Sequence, residues 1–331
     1  MSNQFANDER EWLEPDGLGG FASGTVSGER TRRYHALLLV ATTPPTGRMV
    51  LVNGFDAWIE TPTERFALST ERYAPDVRHP DGAERIESFL AEPWPTWTFR
   101  VGPGIRIQQE IFVPNGRPAV ALTWRLLDPV PSEHTPIRLV VRPFLSGRDY
   151  HATHHENSTC RWDARVSDGL VMWHPYEGVP AVFSRANGTY THEPDWYRHF
   201  FYQRERERGL DDHEDLFAPG WLTWDLSSRP EATWSLEATD DTTIERSADE
   251  VTLVREWRTR EEVRRSRFVS PLHRAADAYL VRRGKGKTLV AGYPWFTDWG
   301  RDTFIAMRGL CLATGRTDEA RRILLQWATV V

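Results

Sequence analysis

The amino-acid sequence predicts a mainly β N-terminal region followed by a helical region. Over residues 1–245, short apolar runs alternate with turns rich in glycine, proline and asparagine, a pattern typical of an antiparallel sandwich or barrel. From residue 246, apolar residues recur at helical intervals among charged ones. The length of 331 residues also favours two domains over one. We therefore expect a β domain and a helical domain joined by a linker.

Individual strands are predicted from apolar runs and from the turns between them. Residues 34–40 form a run of the buried-strand type, and residues 49–52 precede Asn53-Gly54, a common hairpin turn. The other strand runs are 97–101, 105–107, 119–124 and 137–141, with turns at 102–104 and 114–116. Together they predict an antiparallel meander.

Helices are predicted after residue 245. A linker helix covers residues 246–270, where Ser247 and Glu250 have the spacing of a capping box. The apolar pattern predicts a second helix over residues 271–283, ended by Gly284. The helical domain is therefore expected to begin at residue 271.

The pattern predicts two more helices near the end of the sequence. A loop over residues 291–301 leads into a third helix that ends at Gly315, and Thr317 begins a fourth. The fourth helix is still apolar and has no cap at residue 331. Because an apolar helical face needs a partner to cover it, we expect a fragment, truncated early in its second domain.

Composition argues against several classes of partner. The chain carries 41 Lys and Arg against 47 Asp and Glu, a net charge of −6, which argues against nucleic acid and anionic membranes. It has no apparent secretory signal or membrane span and only two cysteines, so we expect a cytoplasmic protein. The 15 tryptophans suit the apolar faces of sugar rings.

The glycine-rich run over residues 16–28 raises the question of nucleotide binding. Residues 17–22 satisfy G-x-G-x-x-A, the dinucleotide-binding fingerprint. That fingerprint requires a buried strand before it and a helix after it. Neither fits the flanking sequence, because Glu-Pro-Asp precedes the run and a predicted strand follows. The run therefore predicts a tight turn that needs positive φ or close backbone approach.

The segment over residues 291–309 carries the most chemistry. It places Tyr293, Trp295 and Trp299 around Asp298, Arg301 and Asp302, just before an apolar helix. Aromatic faces for sugar stacking, an arginine for hydroxyl groups and a carboxylate near the scissile bond are the parts that a glycosidase needs. The structural alternative is a helix start in which a carboxylate binds backbone N–H groups.

Two other polar clusters are weaker candidates for metal sites. Residues 151–156 contain three histidines and a glutamate, but zinc needs three or four converging ligands. We instead expect Arg148, Asp149 and His151 to form a hydrogen-bonded corner. The acidic stretch 211–215 lacks the ligand pattern of a calcium loop and is expected to be solvated. Residues 204–208 alternate in charge like an exposed helix face.

Four blocks of the sequence resemble one family. Residues 11–52, which begin EWLEPDGLGGF, resemble the opening of the bacterial and archaeal type of glycogen debranching enzyme. SGRDYH (146–151) and the stretch 196–220 resemble later blocks of its N-terminal domain. GYPWFTDWGRDTF (292–304) resembles the start of its amylo-α-1,6-glucosidase domain. The resemblance implies a supersandwich-like antiparallel β-sandwich, followed by the first helices of an (α/α)6 barrel.

The resemblance also implies an activity. Family members hydrolyse α-1,6-glucosidic branch points in glycogen or branched maltodextrin, without a metal or organic cofactor. The Trp-Gly-Arg-Asp run that the wider family shares falls on residues 299–302, which favours Asp302 over Asp298 as the first catalytic carboxylate. Because the family's partner carboxylate lies much further along the barrel, we expect the fragment to be inactive alone.

The resemblance further suggests which residues contact the sugar. Trp295 and Trp299 are expected to line the glucose site, with Arg301 binding hydroxyl groups or tuning Asp302. Further candidates for substrate binding are Tyr293 and Asp298, and the candidates for a contribution from the N-terminal domain are Arg33, His35, Asp149 and His151. The alternative function is a non-catalytic carbohydrate-binding module that retains a stub of the enzyme domain.

Overall fold

The computed structural model describes residues 3–102, 104–128, 136–167, 169–240 and 249–329. The described residues before 241 form antiparallel strands and one short helix, and those after 248 are mostly helical. The predicted boundary at residue 245 and the predicted cap Ser247 lie outside the described residues.

The strands of the N-terminal region follow one another with short connections. In chain order they are β1 (Glu11–Pro15), β2 (Phe21–Thr25), β3 (Ala36–Thr43), β4 (Thr46–Glu60), β5 (Arg65–Ala67), β6 (Thr70–Tyr73), β7 (Val77–Asp81), β8 (Ile86–Leu90), β9 (Thr96–Arg100), β10 (Arg106–Phe112), β11 (Ala119–Leu126), β12 (Arg138–Asp149), β13 (Ala164–Ser167), β14 (Leu170–Trp173), β15 (Ala181–Ala186), β16 (Thr189–Phe201), β17 (His213–Asp225) and β18 (Glu231–Thr239). A 3₁₀ turn (Gly82–Arg85) precedes β8, and a short helix, α1 (Gln203–Glu207), separates β16 from β17.

Among the described residues these strands form two antiparallel sheets. The first has the order β1-β2-β3-β4-β12-β17-β16-β6-β7, with β5 paired to β4. The second has the order β13-β14-β15-β18-β11-β10-β9-β8. Their inner faces share one core, in which Phe55 of β4 lies 5.7 Å from Trp124 of β11 and 6.0 Å from Trp234 of β18, between ring centroids. The predicted antiparallel β-sandwich is confirmed.

The prediction of a hairpin at Asn53-Gly54 is wrong. Both residues lie inside β4, which is 15 residues long and pairs with β3 on one side and β12 on the other. The pairing passes from Gly54 opposite Phe144 to Val52 opposite Leu145, so Asn53 is the extra residue of a β-bulge. The Asn-Gly dipeptide, which is common in hairpin turns, here forms a bulge inside a continuous strand.

The helical region begins with two capped helices. In α2 (Glu250–Arg265) the side chain of Asp249 accepts a hydrogen bond from the Thr252 N–H, so Asp249 is the cap. Its apolar side packs against the second sheet through Val254 and Trp257. In α3 (Pro271–Ala278) Ser270 caps the N-terminus.

The prediction of a continuous helix over residues 271–283 is wrong after Ala278. The chain instead forms a small sheet of β19 (Leu280–Arg283), β20 (Gly286–Gly292) and β21 (Phe296–Asp298). Gly284, at φ +54°, makes the tight turn between the first two strands. The Arg282 N–H donates to the Gly17 carbonyl at 2.9 Å, so contact with the sandwich favours the extended form.

The last two helices complete a core with this small sheet. They are α4 (Gly300–Met307), which continues as a π-helical turn (Arg308–Leu312), and α5 (Thr317–Trp327), as the sequence predicts. Leu289 of β20 packs with Cys311 and Ile323 in their shared core. No helix among the described residues is long and apolar enough to cross a membrane.

Candidate active site

The glycine-rich run is a capped turn at the junction of the two regions. The Asp16 carboxylate accepts hydrogen bonds from the Leu18 N–H at 2.6 Å and the Gly20 N–H at 3.0 Å. Gly19 has φ +107°, and a Cβ on Gly20 would lie 2.5 Å from the Leu39 carbonyl oxygen. The predicted need for positive φ and close approach is confirmed.

We call residues 291–299 the aromatic loop, and it packs directly on the sandwich. The ring of Tyr293 lies 5.4 Å from that of Phe21 between centroids, and its hydroxyl donates to the Ala278 carbonyl at 3.3 Å. Tyr293 and Trp295 join one apolar cluster with Tyr34 and Tyr150 of the sandwich. Tyr293 is therefore the residue through which the aromatic loop packs against Phe21 of the sandwich, and it does not line the cleft described below.

An open cleft of about 730 Å³ lies where the aromatic loop meets the sandwich. Of the residues predicted for the site, His151, Trp295 and Trp299 line it. The other lining residues are Phe296, one of the aromatic residues that mark this segment in the sequence, and five that were not predicted: Arg32, Tyr34, Tyr150, Arg208 and Thr297. Aromatic rings and hydrogen-bond donors therefore share one concave surface, which is the composition expected of a sugar-binding cleft.

The two tryptophans of the cleft differ in availability. The guanidinium carbons of Arg32 and Arg208 lie 5.5 and 5.8 Å from the ring centroid of Trp295, so cations occupy positions over that indole. Trp299 is 58% exposed. Of the two, Trp299 has the indole surface that is free for stacking on a ligand.

His151 is part of a polar pair on the sandwich side of the cleft. Its Nδ1 lies 3.0 Å from the Tyr34 hydroxyl, and its ring packs against Tyr150 at 3.8 Å between centroids. Burial lowers the pKa of His151, which favours the neutral imidazole. In the tautomer in which Nδ1 accepts from the Tyr34 hydroxyl, the imidazole proton is on Nε2, where it can be donated to a ligand.

Asp302 lies in the first turn of α4, three residues after Trp299. Its side chain is 35% exposed, and the largely exposed Arg301 reaches it with an Nη2–Oδ2 distance of 3.5 Å. The Thr303 hydroxyl donates to the Leu289 carbonyl at 3.2 Å, which fixes this end of α4 on β20. Asp302 is thus an accessible carboxylate on a firmly held helix.

Asp298 has a different environment. Its side chain is only 5% exposed, and its Oδ2 lies 3.3 Å from Nε of Arg283. That guanidinium in turn packs over the ring of Trp327 at 4.2 Å from its centroid. Asp298 is therefore the partner of a partly buried cation. Like Arg301 and Asp302, it is not among the residues that line the cleft, although Thr297 and Trp299 on either side of it are.

Two family models match the chain. Residues 10–233 match the family model described as glycogen debranching enzyme N terminal. The chain belongs to the glycogen debranching enzyme family. Residues 274–331 match the model described as amylo-alpha-1,6-glucosidase, which includes the aromatic loop and Asp302. These matches assign the chain to a family of glycoside hydrolases, as its sequence motifs predict.

A solved structure supports the fold. It is described as a crystal structure of bacterial glucoamylase complexed with acarbose, and it superposes with a TM-score of 0.50 at 11% sequence identity. The alignment covers 100% of this chain and 51% of the glucoamylase chain, so this chain spans about half of that protein. At this identity the likeness concerns the fold alone.

The other predicted residues of the debranching-family N-terminal domain lie behind the cleft. His35 is buried, with Nε2 at 3.4 Å from Oε1 of Glu11. The hydrogen bond from His35 and that from Arg32 lower the pKa of Glu11 to about 2. Arg33 is buried near Glu205, at 3.8 Å between Nε and Oε2. Neither His35 nor Arg33 lines the cleft.

Asp149 and Arg148 form the polar corner that the sequence predicts. The Asp149 carboxylate accepts from the His151 N–H at 2.8 Å, and Arg148 Nη1 donates to the Asp149 carbonyl at 3.2 Å. Residues 150–163 are not a strand, so the histidines at 151 and 155 do not share a strand face. The described residues contain no group of three or more His, Cys, Asp or Glu suited to a metal ion.

Two expectations about exposed charge are each wrong at one residue. Glu214, within the stretch expected to be solvated, is fully buried in β17, where Arg148 and the Tyr202 hydroxyl both donate to it. Glu205, on the helix face expected to be exposed, is also fully buried, near Arg33 and Arg208. In both cases an arginine from another element balances the carboxylate, which the local sequence pattern does not reveal.

Proposed function

We propose that this chain is the part of an amylo-α-1,6-glucosidase that holds the branch-point glucose and supplies one catalytic carboxylate, Asp302. The observation that carries the proposal is the exposed indole of Trp299 at the cleft, three residues before an accessible carboxylate at the start of α4. The match of residues 274–331 to the glucosidase family supports it. The substrate is glycogen or a branched maltodextrin.

Each residue has a role in this proposal. Trp299 stacks on the apolar face of a glucose ring, and Arg301 donates hydrogen bonds to sugar hydroxyls or to Asp302. The His151 Nε2–H and the guanidinium of Arg208 are donors from the sandwich side of the cleft. Asp302 acts at the glycosidic bond as one of the two carboxylates that such hydrolysis requires. The mechanism needs no metal or organic cofactor.

The second carboxylate is not Asp298 in this proposal. A carboxylate that is 5% exposed and paired with Arg283 cannot reach a sugar without giving up its pairing with that partly buried cation. We therefore propose that the partner carboxylate comes from outside the aromatic loop, and that this chain alone releases little glucose. In domain terms, residues 1–245 form the sandwich, 246–270 the linker and 271–331 the part that belongs to the glucosidase domain.

The test is glucose release from phosphorylase limit dextrin. It compares Asp302→Asn with the unchanged sequence, in this chain and in the longest natural protein that contains it. Loss of one catalytic carboxylate should slow hydrolysis about a thousandfold, while the circular dichroism spectrum stays unchanged. Asp318→Asn is the matched control, because Asp318 lies in the first turn of α5 and has no proposed role.

Near-normal turnover by Asp302→Asn would remove Asp302 from the mechanism. If the longest natural protein bound branched dextrin and released no glucose, the chain would instead be part of a non-catalytic carbohydrate-binding protein. Rapid glucose release by this chain alone would mean that the second carboxylate lies within it.

A further inference from the structure

We infer that Arg48, a residue of the sandwich, is a positioning residue that holds the aromatic loop in the shape needed for sugar binding. The inference rests on the proposed function, because it concerns the same cleft. It adds a role for the N-terminal domain: one buried side chain of the sandwich sets the conformation of the glucosidase segment.

Three consecutive carbonyls of the aromatic loop accept hydrogen bonds from two sandwich side chains. Nη1 of Arg48 donates to the Pro294 carbonyl at 3.2 Å and to the Phe296 carbonyl at 3.0 Å. The Tyr150 hydroxyl donates to the Trp295 carbonyl at 2.9 Å. Each of these hydrogen bonds fixes the orientation of one planar peptide group next to Trp295. Rotation of these peptide groups, which would point the Trp295 side chain in another direction, is therefore restricted.

Arg48 is itself held rigidly. It lies on β4, is 1% exposed, and its Nε donates to the Gly19 carbonyl at 2.8 Å. Its guanidinium carbon lies within 5.8 Å of the ring centroids of Phe21, Tyr150 and Tyr293. The guanidinium thus joins the glycine-rich turn, the sandwich and the aromatic loop at one point.

The chemistry of this contact fits positioning better than simple stabilisation. Burying a cation whose hydrogen bonds go to neutral carbonyls costs free energy, and an apolar residue of similar size would fill the same space without that cost. What the guanidinium provides is fixed hydrogen-bond geometry, because its planar group holds its N–H donors in fixed directions. Two of these hydrogen bonds are accepted by carbonyls of the loop that carries Trp295.

The held segment leads directly to the proposed catalytic residues. Phe296, the last carbonyl that Arg48 binds, begins β21, and Trp299 then precedes the first turn of α4 with Asp302. Trp295 and Trp299 both line the cleft. Releasing the loop at residues 294 and 296 should therefore loosen the cleft and weaken sugar binding, while the sandwich itself remains folded.

The experiment compares Arg48→Met, Arg48→Lys and Tyr150→Phe with an unchanged protein. Arg65→Met is the control, since the Arg65 guanidinium also packs on an aromatic ring of the same sheet, 4.1 Å from the centroid of Trp58, and Arg65 does not line the cleft. Two quantities are measured in each: amide hydrogen exchange of residues 291–299 and the affinity for maltotriose.

We expect Arg48→Met to raise the exchange rates in the loop and to weaken maltotriose binding, each about tenfold or more, as for loss of charge-assisted hydrogen bonds. Exchange in β10 and β11 should stay unchanged. Arg48→Lys should fall between Met and Arg, because a single ammonium can replace only part of the donor set. Tyr150→Phe should give a smaller effect, and Arg65→Met none in the loop.

Unchanged loop exchange in Arg48→Met, or faster exchange with full affinity, would overturn the inference. If Arg48→Met does not fold, Tyr150→Phe decides, and unaltered exchange around Trp295 in that variant overturns it too. If the unchanged protein binds neither maltotriose nor branched dextrin, the proposed function fails, and the exchange measurement still tests whether Arg48 holds the loop.

Discussion

The Asp16 carboxyl group organises the turn that brings the sandwich to the helical region. One of its oxygens accepts two backbone hydrogen bonds, from Leu18 and Gly20, within a site that is closed to solvent. Burial raises the pKa of Asp16 to about 7, although the backbone donors and the cation of Arg48 act in the opposite direction. The folded protein therefore binds a proton here that the unfolded chain has released at the same pH.

This pKa predicts how Asp16→Asn changes the pH dependence of stability. With the folded pKa raised above the ordinary aspartate value of about 4, the carboxyl group contributes most to stability below pH 4, and this contribution is lost as the pH rises to 7. Asparagine keeps an oxygen acceptor for the turn and does not titrate. The variant should gain stability relative to the unchanged protein by up to about 4 kcal/mol between pH 4 and 7.

Urea unfolding at each pH measures this difference. Asp318→Asn, at an exposed position of α5, is the control and should show no such trend. A difference between Asp16→Asn and the unchanged protein that stays constant from pH 4 to 8 would mean that Asp16 is ionised in the folded state throughout.

Residues of the cleft could be predicted only where a local motif marks them. Trp295 and Trp299 could be predicted because they lie in one short aromatic segment. Arg32, Tyr34 and Arg208 reach the cleft from separate parts of the N-terminal region. The residues predicted from the turn before β3 are Arg33 and His35, each one position from a lining residue. Both face the buried side of a turn before β3, and the sequence of a turn carries no periodicity that assigns its faces.

Elements were predictable where turn chemistry and hydrophobic period agree. The hairpin of β9 and β10 and the start of α5 at Thr317 follow the predicted signals. The signals failed at Asn53-Gly54, which marks a bulge, and at residues 280–283, where an apolar helical pattern forms a strand. In both places pairing with a neighbouring strand decides the conformation, and that pairing depends on tertiary contacts.

Neighbouring strands β12 and β17 are joined by a buried charge pair that the sequence did not reveal. Arg148 donates to Glu214 with Nη2 at 3.1 Å from Oε2, and the Tyr202 hydroxyl and the Asn53 amide at 3.3 Å also donate to this carboxylate. Glu214→Gln removes the charge and leaves Arg148 uncompensated. The free energy of unfolding should fall by about 3–5 kcal/mol.

Chemical denaturation of Glu214→Gln checks this value. The control is Glu256→Gln, in an exposed pair on α2 with 3.6 Å between Arg260 Nη2 and Glu256 Oε2, where the change should stay within about 1 kcal/mol. If the two substitutions lowered the free energy of unfolding equally, burial would add nothing to the contribution of the Arg148–Glu214 pair.

At the scale of the whole molecule, the family resemblance predicted the order of the two regions, and buried contacts explain how they are joined. Glu14 of β1 binds two arginines of the helical region: Arg265, at the end of α2, and Arg274 of α3, the latter at 3.1 Å. Arg48 and Tyr150 bind the aromatic loop on the neighbouring surface. Because these charges are removed from solvent, the two regions should unfold together.

Calorimetry tests this coupling. The unchanged chain should unfold in one transition, because the helical region depends on the sandwich for the partners of its buried arginines. Glu14→Ala removes one of the two carboxylates that pair with Arg265 and leaves Glu261 of α2 as the other, so the expected loss at the junction is about 1.5–3 kcal/mol. The helical region should then unfold first, giving two transitions, with the upper one near the original temperature.

Glu262→Ala is the control for this prediction, since Glu262 is exposed on α2 and its loss should preserve the single transition. A single transition in Glu14→Ala, however far it shifts, would mean that Glu14 stabilises the molecule as a whole rather than the junction. Two transitions in the unchanged chain would mean that the two regions unfold independently. In that case the hydrogen bonds of Arg48 and Tyr150 would position the aromatic loop without coupling the unfolding of the two regions.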